Sequence, residues 1–299
     1  MQTNTPPRST IRLTRRGRLA VVVAGAVVAG TAVAVPLLTL GADREQAQPA
    51  TLVIPEGWRA DQIYDAIDKA LALPPGSTRK SLDKAALKLP SEAGGNPEGY
   101  LFPAAYPVQK GATPESLLQL MVDTADKKFN GAPVAAGAQR NAMNVYQAVT
   151  IASIVQAEAA TKADMGKVAR VILNRLNSGM PLQMDSTVHY ALNHDTENTG
   201  RSGTRLESPY NSYQRMGLPP TPIDNPGEDA MRAALNPTPG DWLYFVTVAP
   251  GDTRFTANYN EHLRNVAEFN ALHRGAAATQ PPSSGPLVSS PASPEPSGN

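Results

Sequence analysis

Between Leu19 and Leu40 the chain reads LAVVVAGAVVAGTAVAVPLLTL, without one charged residue. A helix of that length crosses the hydrocarbon core of a bilayer, so the run withdraws itself from any water-soluble core and divides the chain. Arg12, Arg15, Arg16 and Arg18 precede it, and Asp43 and Glu45 follow it. The cationic side stays in the cytoplasm, which puts everything beyond the run outside. A cleaved signal peptide is the competing reading, since the run is Ala-rich and flanked by small residues, but the stretch is long for a signal core. Either reading exports the remainder. The reading taken forward is a cytoplasmic stub at 1–18, a transmembrane helix at 19–40, a polar linker at 41–50, and a single-pass protein of the cell membrane.

The exported part has its own limits. Beyond Gly275 the chain is Ala, Pro, Ser and Gly with almost no charge or aromatics, a composition that cannot bury a core. The segment 275–299 is therefore expected to be a disordered tail. Within the 299 residues, 27 Lys and Arg against 26 Asp and Glu give a net charge of +1. That balance lacks the basic footprint of a nucleic-acid binder, and neutral glycans or mixed polymers suit it better. The absence of cysteine excludes disulfides and thiolate metal sites. His189, His194, His262 and His273 show no zinc-ligand spacing, so neither a metal nor a cofactor is expected.

The intervening sequence reads as α+β. TLVIPEGWRADQIYDAIDKALAL predicts a short strand, a Pro-Glu-Gly turn and an amphipathic helix presenting Ile63, Ile67 and Leu71, a small α/β unit within 51–110. In the segment 111–274, Thr113 or Ser116 opens a helix. From Pro181 to Pro239 the composition is that of long functional loops, with one obvious short helix around GEDAMRAALN. DWLYFVTV predicts a buried strand, and YNEHLRNVAEFNALHR a last helix.

The stretch IASIVQAEAATKADMGKVARVILNRLNSG, from Ile151 to Gly179, carries the chemistry. Ile151, Ile154 and Val155 share one face at the helical period, and Glu158 is next on that face. Thr161 and Asp164 resemble a capping box, so the chain breaks there and a second helix runs to Gly179. Desolvation disfavours a charged carboxylate, and a Glu kept protonated near neutral pH is what a general acid requires. The plainer alternative is that Glu158 reaches solvent at a frayed end or pairs with Lys162.

PEGYLFPAAYPV, ASIVQAEA, VILNRLNSGMPLQMDSTVHYAL, SPYNSYQRMGLPPTPIDNPG, ALNPTPGDWLYFV and FTANYNEHLRNV follow one another in the order found in the endolytic murein transglycosylase family, also called YceG-like. The chain resembles that family over about Leu52 to Val266. The resemblance implies a single-pass anchor, a LysM-like α/β subdomain at 51–110 and a mixed α+β catalytic domain at 111–274. It also implies non-hydrolytic cleavage within nascent peptidoglycan strands between N-acetylmuramic acid and N-acetylglucosamine, leaving 1,6-anhydro ends and limiting strand length. Peptidoglycan synthases are the partners such an activity suggests.

Family members often carry two acidic residues in the helix motif. Here the first is Gln156, which leaves Glu158 to match the catalytic acid. Gln183 and Asp185 match the family's Gln-x-Asp, and Tyr210, Asn211 and Tyr213 match its Tyr-Asn-Thr-Tyr, with Ser212 in place of the usual Thr. These are the expected substrate-binding residues. For Asp185 a turn or cap role stands beside the functional one, and for the tyrosines core packing does. Glu98 either lines the cleft or caps a turn, with the turn favoured, and Arg175 reads as a complement to a helix dipole. Two other functions stay open. A muramidase-like hydrolase would use Asp185 as second carboxylate, and a non-catalytic peptidoglycan-binding scaffold would not need Glu158.

Overall fold

In a computed structural model of the protein, residues 50–192 and 205–278 are described. The stub, the apolar run at 19–40, nearly all of the linker, and the tail from 279 onward lie outside the described residues. Among the described residues no helix is long and apolar enough to cross a membrane. The class is α+β: short two-stranded sheets on a mainly helical body.

The first hydrophobic centre is built around β1 (Ala50–Val53), α1 (Ala60–Ala70), α2 (Ser77–Ala85) and β2 (Ala105–Val108). The strands pair antiparallel with Leu52 opposite Tyr106, and both side chains point inward. Two strands alone are marginal in water, and this pair is held by Ile63 and Ile67, both wholly buried on one face of α1. α3 (Pro114–Phe129) closes the unit. Its start is local chemistry: Thr113 Oγ1 accepts the Ser116 N–H at 3.3 Å, and the Ser116 hydroxyl accepts the Thr113 N–H at 3.0 Å.

α3 also joins the two centres. Leu117, Leu118, Met121 and Val122 face the first, whereas Ala125 and Phe129, one to two turns later, face the second. The second centre surrounds α5 (Val145–Glu158), with α4 (Ala132–Arg140), α6 (Met165–Asn177) and α8 (Glu228–Leu235) against it. The sequence predicts an apolar stripe on α5. The structure buries it nearly all round, Ala148 through Val155 without a break, and Thr150 and Ser153 are accommodated by donating to the backbone oxygens of Tyr146 and Thr150.

The break after α5 falls where the sequence places it. Thr161 Oγ1 donates to Asp164 Oδ2 at 2.7 Å and accepts the Asp164 N–H at 3.3 Å, and α6 starts at the next residue. Gly179, at φ +62°, ends the helix region with its N–H on Leu176 O.

Three expectations are corrected. A second helix, α7 (Asp185–Ala191), interrupts the loop-rich 181–239 region; it is too short, and too rich in Ser, Thr and Val, for its period to be read. The expected buried strand is half of a hairpin, β3 (Tyr244–Ala249) with β4 (Asp252–Thr256), in which only Val248 among the β3 residues is fully buried. One side of that hairpin rests on α9 (Tyr259–Ala278). α9 itself continues past Gly275, since the alanines that open the expected tail also favour helix.

Gly99 shows why one turn admits no side chain. Its φ is +83°, and a Cβ there would stand 2.5 Å from the Pro222 ring and 3.1 Å from Val149. The PEGY turn is thereby pressed against both α5 and the 220–227 loop.

Candidate active site

Glu158 is the last residue of α5, because Ala159 turns extended at φ −78° and ψ 118°. A carboxylate at a helix C-terminus faces unpaired carbonyls and is disfavoured there. The first turn of α7 opposes this: the Ser186 N–H donates to Glu158 Oε1 at 3.0 Å. The acid thus stands between the negative end of one helix and the positive end of another. Burial nonetheless wins and pushes the Glu158 pKa up, against the Ser186 hydrogen bonding; the Asp185 charge raises it further, and Arg175 lowers it. A carboxyl group in this setting holds a proton at higher pH than an ordinary Glu.

Two cavities meet at this side chain. One, of about 480 Å³, has Trp58, Arg59, Gln156 and Asp224 in its walls. The other, of about 430 Å³, is bounded by Arg175, Gln183, Tyr213, Phe245 and His262. Glu158 and Asp185 belong to both. The arrangement is a cleft to either side of a protonatable carboxyl, with polar groups and aromatic faces on its walls.

The expected substrate-binding residues divide. Asp185 opens α7 and its Oδ1 accepts the Tyr213 hydroxyl at 2.6 Å, so this pair and Gln183 reach the cleft together. Gln183 adopts φ +53° while its N–H donates to Ser212 O at 3.0 Å. Tyr210 and Asn211 stand behind the wall. Asn211 is fully buried, donates to Leu206 O at 2.7 Å and accepts the Tyr213 N–H at 3.0 Å. Tyr210 packs on the Tyr190 ring at 4.9 Å and shares a hydrogen bond with Thr221. Both set the loop that carries Tyr213.

Arg175 does more than complement a dipole. It is buried and straps two segments, donating to Leu243 O at 2.6 Å and Leu182 O at 2.5 Å, with its guanidinium 5.4 Å from the Tyr244 ring centre. Glu98, expected to cap a turn, is also buried. It accepts from the Ala60 N–H at 2.9 Å, Asn225 Nδ2 at 3.0 Å and the Tyr190 hydroxyl at 3.2 Å. Burial pushes its pKa up to about 7 despite those donors.

The YceG-like family model matches residues 30–268, most of the chain. The chain belongs to the YceG-like family. It is 34% identical over 264 residues to a protein named endolytic murein transglycosylase from Streptococcus pneumoniae serotype 2, covering 77% of this chain and 47% of that one. A Bacillus subtilis protein of the same name is 38% identical over 167 residues, 55% of this chain and 46% of that one. The chain therefore spans about half the length of the curated relatives it matches. The crystal structure of a YceG-like protein from Listeria monocytogenes superposes with a TM-score of 0.63 at 34% identity, covering 72% of this chain and 75% of that one.

For a YceG-like protein, the substitution at Gln156 has a structural explanation. Gln156 Oε1 accepts the Gly227 N–H at 3.1 Å, where α8 begins. An acceptor oxygen is what that position uses, and Gln and Glu both supply one. Gln156 thus pins the α8 loop to the helix of the acid.

Asp224 is the residue that sequence reasoning missed. It is 4% exposed, lines the cleft, and its Oδ1 has no hydrogen-bond partner among the described residues. Burial holds its pKa well above the carboxylate range, Glu98 adds to this, and Arg59 opposes it. Its neighbour Asn225 is wholly buried and bonds both the 57–58 turn and the Leu101 N–H. The only hint in the sequence was a charged residue inside PIDNPG, where a turn role is equally natural.

Proposed function

We propose that this chain is a membrane-anchored lytic transglycosylase that cleaves nascent peptidoglycan strands internally. The observation that carries the reading is Glu158, a carboxyl biased toward its protonated form at the midpoint of a two-sided cleft. The names of the relatives support the substrate class. Glu158 protonates the glycosidic oxygen as the bond to C1 of N-acetylmuramic acid breaks. The resulting carboxylate, steadied by the Ser186 N–H, then takes the proton of that sugar's 6-hydroxyl as its oxygen attacks C1. The products are a shortened strand and a 1,6-anhydro end, and no water is consumed. An intramolecular nucleophile gains from proximity, so one carboxyl serves where ordinary glycosidases use two. In this reading Gln183, Asp185 and Tyr213 hold sugar, and Tyr210 and Asn211 position their loop.

The remaining features belong to the same proposal. The run at 19–40 anchors the protein with its N-terminus in the cytoplasm, and the 51–110 segment acts as a LysM-like unit. Cutting then occurs near the membrane, beside the synthases that extend the strands.

One observation favours a second reading. Asp185 brings a second carboxyl group to the cleft beside Glu158, and a muramidase-like hydrolase needs such a second carboxylate to assist water. Digestion of glycan strands by the purified full-length chain, wild type beside Glu158→Gln, with mass spectrometry of the new ends, separates these readings. Ends one water lighter than hydrolytic products, absent with the variant, are the expected result. Reducing ends would make the protein a hydrolase, and no cleavage by folded wild type would leave a binding scaffold.

A further inference from the structure

A third cavity, of about 370 Å³, adjoins the cleft, and Arg59 forms part of the wall of both. Arg79, from α2, also lines this side cavity. Each guanidinium lies against an aromatic ring, Arg59 5.4 Å from the centre of Tyr190 and Arg79 5.5 Å from that of Tyr64. A guanidinium fork is the geometry that receives a carboxylate through two parallel hydrogen bonds. Arg79 already holds one such group, the Asp61 carboxylate, in an ion pair whose partners remain 58% and 44% exposed. An exposed pair of this kind contributes little to stability and is readily exchanged for another carboxylate.

A glycan strand lying in the cleft presents this geometry with a chemical requirement. Each muramic residue carries a peptide on its lactyl group, so a bound strand projects peptide sideways from the cleft. The second residue of that peptide, D-glutamate joined through its side chain, exposes a free α-carboxylate. A cavity beside the cleft, of dipeptide size and with two cations in its wall, matches that group.

We propose that this side cavity is a stem-peptide subsite, in which Arg59 and Arg79 receive the D-glutamyl carboxylate of the peptide on the sugar bound in the cleft. The inference rests on the peptidoglycan reading above and adds a preference to it: strands with the free acid are recognised better than bare strands or strands amidated at that carboxylate. Asp61 is the resident competitor for Arg79, which makes its removal informative. Glu98 forms part of the cavity floor, and its raised pKa reduces the negative charge there around neutral pH.

The test is calorimetric titration of the purified full-length chain with L-alanyl-γ-D-glutamate and, separately, with its α-amide. The acid is expected to bind at least about tenfold more tightly than the amide, the difference of one charge-assisted pair. Arg79→Ala is expected to remove most of that difference. Asp61→Asn is expected to tighten the acid, an effect that a merely structural ion pair would not produce. Equal affinity for acid and amide, no saturable binding of the acid, or no response to either substitution would overturn the subsite. None of these titrations depends on cleavage. A chain that cuts bare strands yet ignores the dipeptide keeps its enzyme reading and loses the subsite, whereas one that binds the dipeptide without cutting loses the enzyme reading alone.

Discussion

The Ser186 N–H and the Glu158 carboxylate meet at 3.0 Å across 28 residues of sequence. The donor belongs to the first turn of a seven-residue helix, and the acceptor to the last residue of another. One contact therefore helps to position the acid and partly offsets the burial that raises its pKa. Glu158→Gln keeps the shape and removes the proton, so strand cleavage should fall by about 10²–10⁴-fold or more, the contribution of a general acid. Thermal unfolding of the variant, measured alongside, should show a fold at least as stable as wild type.

Asp185 raises the Glu158 pKa through its charge. In the proposed mechanism the acid works only while protonated, so the rate should fall as pH rises through that pKa. Asp185→Asn removes a negative charge, lowers the pKa and should move this alkaline limb to lower pH. A pH profile of kcat/KM checks the direction, and an unmoved limb would dissociate Asp185 from the acid.

Glu98 links pH to stability. Its pKa is 4.5 when unfolded and is pushed up to about 7 in the fold, so between those values the folded state binds more protons. Stability from this group is complete below about pH 4.5 and is lost as pH rises through about 7, by up to ~3 kcal/mol. Glu98→Gln should flatten that decline in urea-unfolding curves measured from pH 5 to 8. A variant that declines as steeply as wild type would assign the pH dependence to another group.

Gly99→Ala combines a positive φ with a 2.5 Å clash against Pro222. Strain plus overpacking should cost about 2–4 kcal/mol, read as a lower denaturation midpoint at unchanged slope. Since the PEGY turn also supports Glu98 and the loop of Asp224, activity should fall with stability.

At Gln156 the expected order is Gln and Glu above Ala. Gln156→Ala leaves the Gly227 N–H without its acceptor and should cost about 1–3 kcal/mol. Gln156→Glu retains an acceptor oxygen and should be close to wild type in denaturation measurements. Equal loss in both variants would show that the amide itself, rather than its oxygen, is required.

Much of the helical framework was legible without coordinates. Thr113 with Ser116, Thr161 with Asp164, and Gly179 act within a few residues of themselves, so the boundaries they set appear directly in the sequence. The ordered motifs around Glu158 likewise pointed to the family that the chain belongs to. Asp185–Ala191 and Asp252–Thr256 were not legible, because elements this short carry too few turns or alternations for a period to emerge.

What the sequence by itself determined is the chemistry on offer: one acid in an apolar helix, a set of polar and aromatic residues suited to a glycan, and caps that start and stop the helices. Which of those residues face the cleft was decided only by tertiary structure. Asn211 and Asp185 stand in equally polar loops, yet one is wholly buried in its turn and the other borders the acid. Asp224 and Glu98 look like turn residues until the 57–60 segment, α5 and α7 close around them and remove their water. Caps and periods are short-range and survive in a linear string; desolvation and charge coupling depend on which distant segments pack together, and the string does not contain those distances.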